Sequence, residues 1–373
     1  MKPSLHQHLF KIALCCLLPF SVQAKESIKI GVAGPFTGPN AAFGDQLWIG
    51  ASAAAKAINL AGGINGKELI LVKADDACEP KQAVAVANRL VDEDKVSAVL
   101  GHFCSSSTFP ASEIYEDADI LSMATGSTHP DITERGLETM TRICGRDDQQ
   151  ATIIGQFISE TLGAKRIAVI HDKDTYGRGL AEATRDVTKN HGTETVLFDG
   201  VTRGERDYNA LVTKIRASNV DAVFFGGLYA EAGTLVRQIR EQGLSIPYVS
   251  DDGIVDPAFV TAAGGAQYAQ GVYMGFPRDP RNMESSQQVI AELESQGLKS
   301  DGFTLYAYAG IQAISAALAG TNSTSGTELA KWLQQNRVET VLGPKEWDEK
   351  GDLKEPDYVM YQWDEKGNYQ ELP

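Results

Sequence analysis

The chain has 373 residues, and its 49 acidic residues against 34 Lys and Arg give a formal net charge of −15 at pH 7. Such an excess of negative charge argues against binding to nucleic acid or to an anionic membrane surface. At about 100–200 residues per domain, the length predicts two domains rather than one.

The N-terminus has the pattern of a secretory signal peptide. A short polar start flanked by two lysines precedes the apolar run 12–22, and Ala24 ends a small-residue cleavage pattern. The run is too short for a membrane anchor, because a spanning helix needs about 20 apolar residues. A lipoprotein signal at Cys15 or Cys16 is disfavoured, since the residues before these cysteines are not small. We expect export, with cleavage after Ala24.

The first half of the remaining chain alternates β-rich runs with segments of helical apolar spacing. The predicted strands are Ile28–Ala33, Leu69–Lys73, Val96–Leu100, Ile120–Met123 and Met140–Ile143. The predicted helices are Phe43–Leu60, Lys81–Asp92 and Phe109–Asp117. Strands that alternate with helices indicate βαβ units and a parallel sheet.

After Gly145 the same alternation starts again. The predicted strands are Arg166–His171, Thr195–Phe198, Ala222–Phe225, Tyr248–Ser250, Val272–Phe276 and, as the last strand, Tyr358–Trp363. The predicted helices are Ala151–Leu162, Tyr176–His191, Tyr208–Ser218, Glu231–Gln242, Ser285–Gln296, Phe303–Ala319 and Thr327–Asn336. We therefore predict an α/β protein with two doubly wound parallel-sheet lobes, joined near residues 145–149.

In open parallel sheets, ligands bind beyond the carboxyl ends of the strands. In the first half, those ends carry hydroxyl groups: Ser105–Thr108 follow Cys104, and Ala124–Thr128 follow the next strand. Hydroxyls and free N–H groups at a helix start suit an anion. One of these hydroxyls is expected to be a plain helix cap, but four in a row exceed what capping needs.

In the second half, the strand ends carry carboxylates and aromatic rings instead. Asp251 or Asp252 could bind an ammonium group, although a solvated turn before Gly253 is the alternative. Apolar and aromatic side chains could line the space between the two lobes: Phe43, Phe103, Tyr176 and Leu228. For Phe43 the alternative is a contact that fixes the helix start. A zwitterionic amino acid with an uncharged side chain fits this pattern.

Three cysteines remain after the expected cleavage: Cys78, Cys104 and Cys144. A bridge between Cys78 and Cys104 would indicate an oxidising compartment and would contribute about 3–4 kcal/mol to stability. Cys144 lies in an apolar-polar alternation and is expected to be a buried strand thiol. We expect no metal and no cofactor, since histidines at ligand spacing, a P-loop and a dinucleotide fingerprint are missing from the sequence.

An enzyme on this architecture would need a nucleophile activated by a base. His102, His129 and His171 lie at strand ends, and Ser105 is close to the first of them in sequence. The sequence has no G-x-S-x-G elbow, and histidines at strand ends usually have structural roles. We therefore expect a binding protein rather than an enzyme.

Several segments resemble the periplasmic leucine/isoleucine/valine-binding proteins, the soluble receptors of branched-chain amino acid ABC importers. They include IKIGVAGPFTGPNAAFGDQ, DDACEPKQAVAVAN, GHFCSSST and WDEKGDLK, and the resemblance covers the mature chain. It implies a type I periplasmic-binding-protein fold with discontinuous lobes, 25–146 with 276–355 and 147–275 with 356–373. It also implies a monomer in the periplasm that delivers an amino acid to membrane permease subunits.

The resemblance also implies roles for individual residues. The disulfide of the family falls on Cys78 and Cys104. The ligand carboxylate would be bound by Ser105 and Thr128, and the ligand ammonium by Gly126, Thr128 and Asp252. The side-chain pocket would be formed by Phe43, Phe103, Tyr176, Leu228 and Tyr229.

Four of these positions depart from the family pattern. Asp252 replaces a longer glutamate, and Phe43 replaces a tyrosine or tryptophan. Leu228 stands where the family has a tyrosine, with the ring moved to Tyr229, and Phe103 is bulkier than the usual leucine. The carboxylate side is retained, so we expect a neutral apolar amino acid, with branched-chain preference less firmly indicated. The alternative is a periplasmic sensor, or a receptor for a different small amino acid or an amide.

Overall fold

The computed structural model of the protein describes residues 26–355 and 357–373. The predicted signal peptide lies outside the described residues. Within them, every helix is too short or too polar to cross a lipid bilayer.

Five parallel strands form the first sheet, in the order β2-β1-β3-β4-β5. They are β1 (Ser27–Gly34), β2 (Glu68–Asp75), β3 (Ala98–Leu100), β4 (Leu121–Ala124) and β5 (Met140–Arg142). The accompanying helices are α1 (Ala41–Leu60), α2 (Pro80–Arg89), α3 (Ser105–Asp117) and the short α4 (Asp131–Glu134). All residues of β3, β4 and β5 are buried, as expected for strands covered on both faces.

Seven strands form the second sheet, in the order β14-β13-β10-β9-β8-β6-β7. They are β6 (Arg166–His171), β7 (Glu194–Gly200), β8 (Ala222–Gly226), β9 (Tyr248–Ser250), β10 (Tyr273–Pro277), β13 (Tyr358–Trp363) and β14 (Tyr369–Glu371). The helices here are α5 (Asp147–Gln156), α6 (Thr175–Asn190), α7 (Asn209–Ala217), α8 (Tyr229–Glu241), α9 (Ala258–Ala262) and α10 (Ala266–Ala269). Strands β6 to β10 are parallel, whereas β13 and β14 are added antiparallel at one edge.

Between β10 and β13 the chain returns to the first lobe. This segment contains α11 (Gln287–Ser295), α12 (Thr304–Thr321), α13 (Gly326–Gln335) and the hairpin of β11 (Val338–Thr340) and β12 (Gly343–Lys345). Helix α12 packs directly on α1, and the N–H of Gly326 donates to the carbonyl of Asp119 at 2.7 Å. The chain therefore passes three times between the lobes. The implied boundaries, 25–146 with 276–355 and 147–275 with 356–373, stay a prediction.

The predicted α/β class with two parallel-sheet lobes is confirmed. Helix α3 was predicted to begin at Phe109, which is wrong: it begins at Ser105, so the hydroxyl run forms its first turn. Strands β11, β12 and β14 were not predicted, so Tyr358–Trp363 is not the last strand. Each of these strands has three residues, too few to show a period, and pairing with neighbours rather than local pattern defines them.

The contact between α1 and α12 depends on a glycine. A Cβ atom at Gly50 would lie 1.9 Å from the carbonyl oxygen of Thr304. On helix propensity alone, Gly50→Ala would gain up to about 1 kcal/mol. Because the added methyl group has no room, we expect it instead to lower the free energy of unfolding by about 1–3 kcal/mol.

Urea denaturation followed by circular dichroism measures this effect. Ser52→Ala, on the same helix, is the control and should change stability by less than about 0.5 kcal/mol. A Gly50→Ala protein as stable as the wild type would contradict the close packing of the two helices.

Candidate functional site

Strand ends of both sheets border one cavity. From the first lobe it is lined by Phe103, Cys104, Ser105, Gly126 and Phe303. From the second lobe it is lined by Asp174, Tyr176, Arg203, Leu228, Asp252 and Gly253. The two lobes thus contribute jointly to a single site, at the place expected for open parallel sheets.

On the first lobe, the polar part of the wall is the start of α3. Ser105 is the first residue of this 13-residue helix and is buried beside the cavity. Its hydroxyl accepts the N–H of His129 at 3.4 Å, and within the described residues it donates no hydrogen bond of its own. The helix dipole and the N–H groups of the first turn favour a negatively charged group here.

The other hydroxyls of this region have separate tasks. Ser106 donates to Asp174 of the other lobe at 3.0 Å, and Thr108 hydrogen-bonds to Ser127 at 2.5 Å. The buried hydroxyl of Thr128 has no hydrogen-bond partner among residues 26–355 and 357–373, although Thr128 does not itself line the cavity. The hydroxyl run therefore serves partly as structure, and Ser105 is its member at the cavity.

On the second lobe, the two adjacent aspartates have different roles. The Asp251 carboxylate accepts the N–H groups of Gly227 and Gly253, each at 2.9 Å, and shapes the loop. Asp252 faces the cavity: its Oδ1 accepts the hydroxyl of Tyr176 at 2.5 Å, and its Oδ2 has no partner in the described part of the chain. Both aspartates are buried, so the solvated-turn alternative is wrong.

Buried acids concentrate negative potential at the base of the cleft. Burial raises the pKa of Asp252 to about 6, with the hydrogen bond from Tyr176 opposing the shift. Burial and the charge of Asp252 raise the pKa of Asp251 well above its ordinary value, and the same two causes act on Asp147 at the start of α5. A cation placed next to Asp252 would stabilise its ionised form.

A charged cluster at the cavity was not predicted. Arg203 contacts Asp172 at 2.7 Å and Asp174 at 3.1 Å, and Asp174 accepts the hydroxyl of Ser106 across the cleft. Arg203 follows β7, so the strand-end rule could have found it had the loop after that strand been considered. This cluster joins the two lobes at one side of the cavity.

Aromatic rings form the apolar part of the wall. Phe103 stacks on Phe43 with 4.5 Å between ring centroids and meets Phe303 edge-on at 5.1 Å. Phe43 and Tyr229 do not line the cavity; they contact each other across the lobes at 5.2 Å. Phe303 was not predicted as a cavity residue, because it precedes a helix rather than following a strand.

The predicted disulfide between Cys78 and Cys104 is confirmed. A second link joins the same loops, because Nδ1 of buried His102 lies 2.5 Å from Asp76 Oδ2 and its Nε2 lies 2.9 Å from the Tyr115 hydroxyl. Cys144 is buried as expected, but it lies two residues beyond the end of β5 and not in a strand; burial raises the pKa of its thiol to about 12.

The histidines at strand ends have structural roles. His102 is engaged by Asp76 and Tyr115, while the Nδ1 atoms of His129 and His171 accept backbone N–H groups two residues further along. Among the described residues, Ser105 has no side-chain hydrogen bond to a histidine. The arrangement can hold charged groups of both signs.

Comparison with known proteins extends over almost the whole chain. The model of the periplasmic binding protein family matches residues 27–368. A Pseudomonas aeruginosa protein named "Amino acid binding protein" is 55% identical over 98% of both chains. The "Leu/Ile/Val-binding protein homolog 1" of Brucella abortus is 42% identical over 94% of both chains. The crystal structure of LivJ, a branched-chain amino acid transporter substrate-binding protein of Streptococcus pneumoniae in complex with isoleucine, matches with a TM-score of 0.85 at 27% identity. That match covers 93% of this chain and 99% of LivJ.

The disulfide closes a separation of 26 residues. Replacing both cysteines, Cys78→Ser with Cys104→Ser, should lower the free energy of unfolding by about 3–4 kcal/mol, because the unfolded chain regains the freedom that the bridge removes. Urea denaturation with and without reductant measures the loss. Reductant should bring the wild type down to the level of the double variant and leave the double variant unchanged. Equal stability of the wild type in both conditions would contradict a bridge in solution.

Proposed function

The chain belongs to the periplasmic binding protein family and has its type I two-lobed fold, and from this premise we propose that it is an ABC-importer receptor for a neutral apolar L-amino acid. Its relatives indicate the branched-chain class, since they are named for leucine, isoleucine and valine or contain isoleucine. The observation that carries the proposal is the cavity's pairing of the α3 N-terminus with Ser105 on one lobe and the unpartnered oxygen of Asp252 on the other.

The carboxylate of the ligand binds at the first lobe. Ser105 donates its hydroxyl, and the first turn of α3 supplies N–H groups and the positive end of the helix dipole. The unpartnered hydroxyl of Thr128 supplies a further donor when the ligand is bound. Hydrogen bonds to an ionised group in a buried site are roughly twice as strong as neutral ones.

The ammonium of the ligand binds between the lobes. Asp252 Oδ2 supplies the negative charge, and the backbone of Gly126 with the Thr128 hydroxyl supplies polar partners from the first lobe. Tyr176 orients the carboxylate by occupying its other oxygen at 2.5 Å. Because the ammonium also reduces repulsion among the buried acids, it contributes more to the binding free energy than its contact with Asp252 alone.

The ligand's side chain extends toward the apolar wall. Phe103, Leu228 and the ring of Tyr176 line this part of the cavity, with Phe43 and Tyr229 packed beside it. An uncharged ligand side chain needs no charged partner, because burial of its apolar surface supplies the attraction.

Closure of the lobes couples binding to transport. Hydrogen bonds that cross the cleft join Ser106 with Asp174, Gln46 with Asp256, and the N–H of Ala42 with the Tyr229 hydroxyl. A ligand that touches both lobes favours the arrangement in which these contacts form. The closed receptor, a periplasmic monomer freed from its signal peptide after Ala24, then docks on the permease subunits.

Asp252→Asn tests the ammonium site. Asparagine keeps the size and an acceptor for Tyr176 but removes the charge, so amino-acid affinity should fall by at least about 2 kcal/mol, or roughly 30-fold. The ligand-free variant should be at least as stable as the wild type at pH 7, because a buried charge is gone. Isothermal titration calorimetry and thermal unfolding measure the two effects. Asp199→Asn, on β7 away from the cavity, is the control and should bind normally. Unchanged affinity of the Asp252 variant would remove this residue from the site.

The pH dependence follows from the raised pKa of Asp252, about 6 as a result of burial. The ligand ammonium needs the ionised carboxylate, so affinity should be constant above about pH 7 and fall toward tenfold per unit below about pH 6. The stability of the free protein changes with the opposite sign. A carboxyl group whose pKa is raised in the folded protein stabilises that state fully below the unfolded-state pKa of about 4. This stabilisation is lost as the pH rises through the folded-state pKa of about 6. Calorimetry between pH 5 and 8 should show this loss of affinity in the wild type and not in Asp252→Asn; identical profiles would contradict it.

A thermal-shift screen of the mature protein against the twenty amino acids tests the proposed function as a whole. We expect stabilisation by one or more neutral aliphatic amino acids, because a ligand that binds only the folded state raises the melting temperature. If no α-amino acid stabilises the protein, the proposal is overturned.

A further inference from the structure

The proposed function leaves open how large the ligand's side chain can be, and the aromatic cluster at the cavity bears on this question. The cluster consists of Phe43, Phe103 and Phe303, whose side chains are all buried. Phe103 and Phe303 line the cavity, and Phe43 lies behind Phe103. The position and rigidity of the Phe103 ring therefore determine how deep the apolar part of the site is.

The Phe103 ring reaches the polar end of the site. A Cβ atom at Gly126 would lie 2.4 Å from Cε2 and 2.9 Å from Cζ of Phe103, so the outer edge of the ring touches the Gly126 backbone. Gly126 borders the cavity with Ser105, where the polar groups of an amino acid would bind. A ligand side chain that extends from the α-carbon toward Gly126 therefore contacts the Phe103 ring directly.

The ring cannot turn aside without moving its neighbours. It stacks on Phe43 at 4.5 Å with an interplanar angle of 21°, and it meets Phe303 edge-on at 5.1 Å and 85°. Phe303 is in turn packed against Phe276 and Tyr306, each at 5.6 Å between ring centroids. In a close-packed interior, displacing one ring of such a cluster disturbs them all.

The backbone of Phe103 is tethered on both sides. His102, which precedes it, is hydrogen-bonded to Asp76, and Cys104, which follows it, is bonded to Cys78. The carbonyl oxygen of Phe103 also accepts the hydroxyl of Ser127 at 2.9 Å. The loop therefore cannot withdraw to make the pocket deeper.

We propose that the fixed ring of Phe103 acts as the floor of the side-chain pocket and limits the receptor to short aliphatic amino acids, of alanine to valine size, in preference to leucine. This proposal rests on the proposed function, since it concerns the same site. Adding or removing one methylene group of a ligand changes its affinity for an apolar pocket by roughly 10–200-fold. We therefore expect valine or a smaller amino acid to bind at least about tenfold more tightly than leucine.

The experiment is calorimetric titration of the mature wild-type protein with glycine, alanine, 2-aminobutyrate, valine and leucine, repeated with Phe103→Leu. Shortening the ring to a flexible aliphatic side chain should raise leucine affinity by at least about tenfold and leave alanine binding unchanged or weaker. Phe224→Leu, a fully buried phenylalanine of β8 that does not line the cavity, is the matched control and should keep the wild-type order.

The outcomes separate this proposal from the proposed function. Wild-type protein that binds leucine as tightly as valine overturns the size limit and leaves the amino-acid receptor intact. An unchanged ratio in folded Phe103→Leu, or an equal shift in Phe224→Leu, also overturns it. If no neutral amino acid binds the wild type, both proposals fail. If Phe103→Leu does not fold, the wild-type series decides alone.

Discussion

Two links between the same pair of loops hold the binding cleft in shape. Cys78 is bonded to Cys104, and two residues earlier on each loop Asp76 is hydrogen-bonded to His102. Between the linked positions 102 and 104 lies Phe103, and directly after them α3 begins with Ser105. The covalent bond limits the distance between the loops, and the buried hydrogen bonds of His102 limit their orientation. The polar start of α3 and the position of the Phe103 ring thus depend on one local constraint.

The base of the cleft shows the opposite balance, because it carries buried acids whose oxygen atoms are not all hydrogen-bonded within the described residues. Asp252 has one oxygen with no hydrogen bond in the described residues, and nearby Asp147 has two. A fold selected for stability alone would satisfy or remove such groups. An unsatisfied acid that faces a cavity instead lowers the stability of the free protein and increases its gain on binding a cation. Stability and ligand affinity are therefore linked through the same side chains.

The return of the chain to the first lobe contributes to the site as well as to the fold. Helix α12 packs on α1 where Gly50 leaves room for the carbonyl of Thr304, and Phe303 immediately precedes that helix. Its ring then stands against Phe103, which is 200 positions earlier in the sequence. Gln46 of α1 accepts the N–H of Phe303 and also donates to Asp256 of the second lobe. The Gln46 side chain therefore takes part both in packing within the first lobe and in contact between the lobes.

The α/β class, most strands and helices, and the strand ends that border the cavity are predictable from the sequence alone. Periodicity and strand-end position are local properties, so Ser105 and the pair Asp251–Asp252 could be found directly. Resemblance added the disulfide pairing and candidate roles. The fold determines that Asp252 rather than Asp251 faces the cavity, because their adjacent side chains differ in direction and in backbone partners. It also revealed Phe303 and Arg203, whose neighbours come from distant segments. Such contacts depend on how the lobes close and how the chain returns, and no local pattern encodes them.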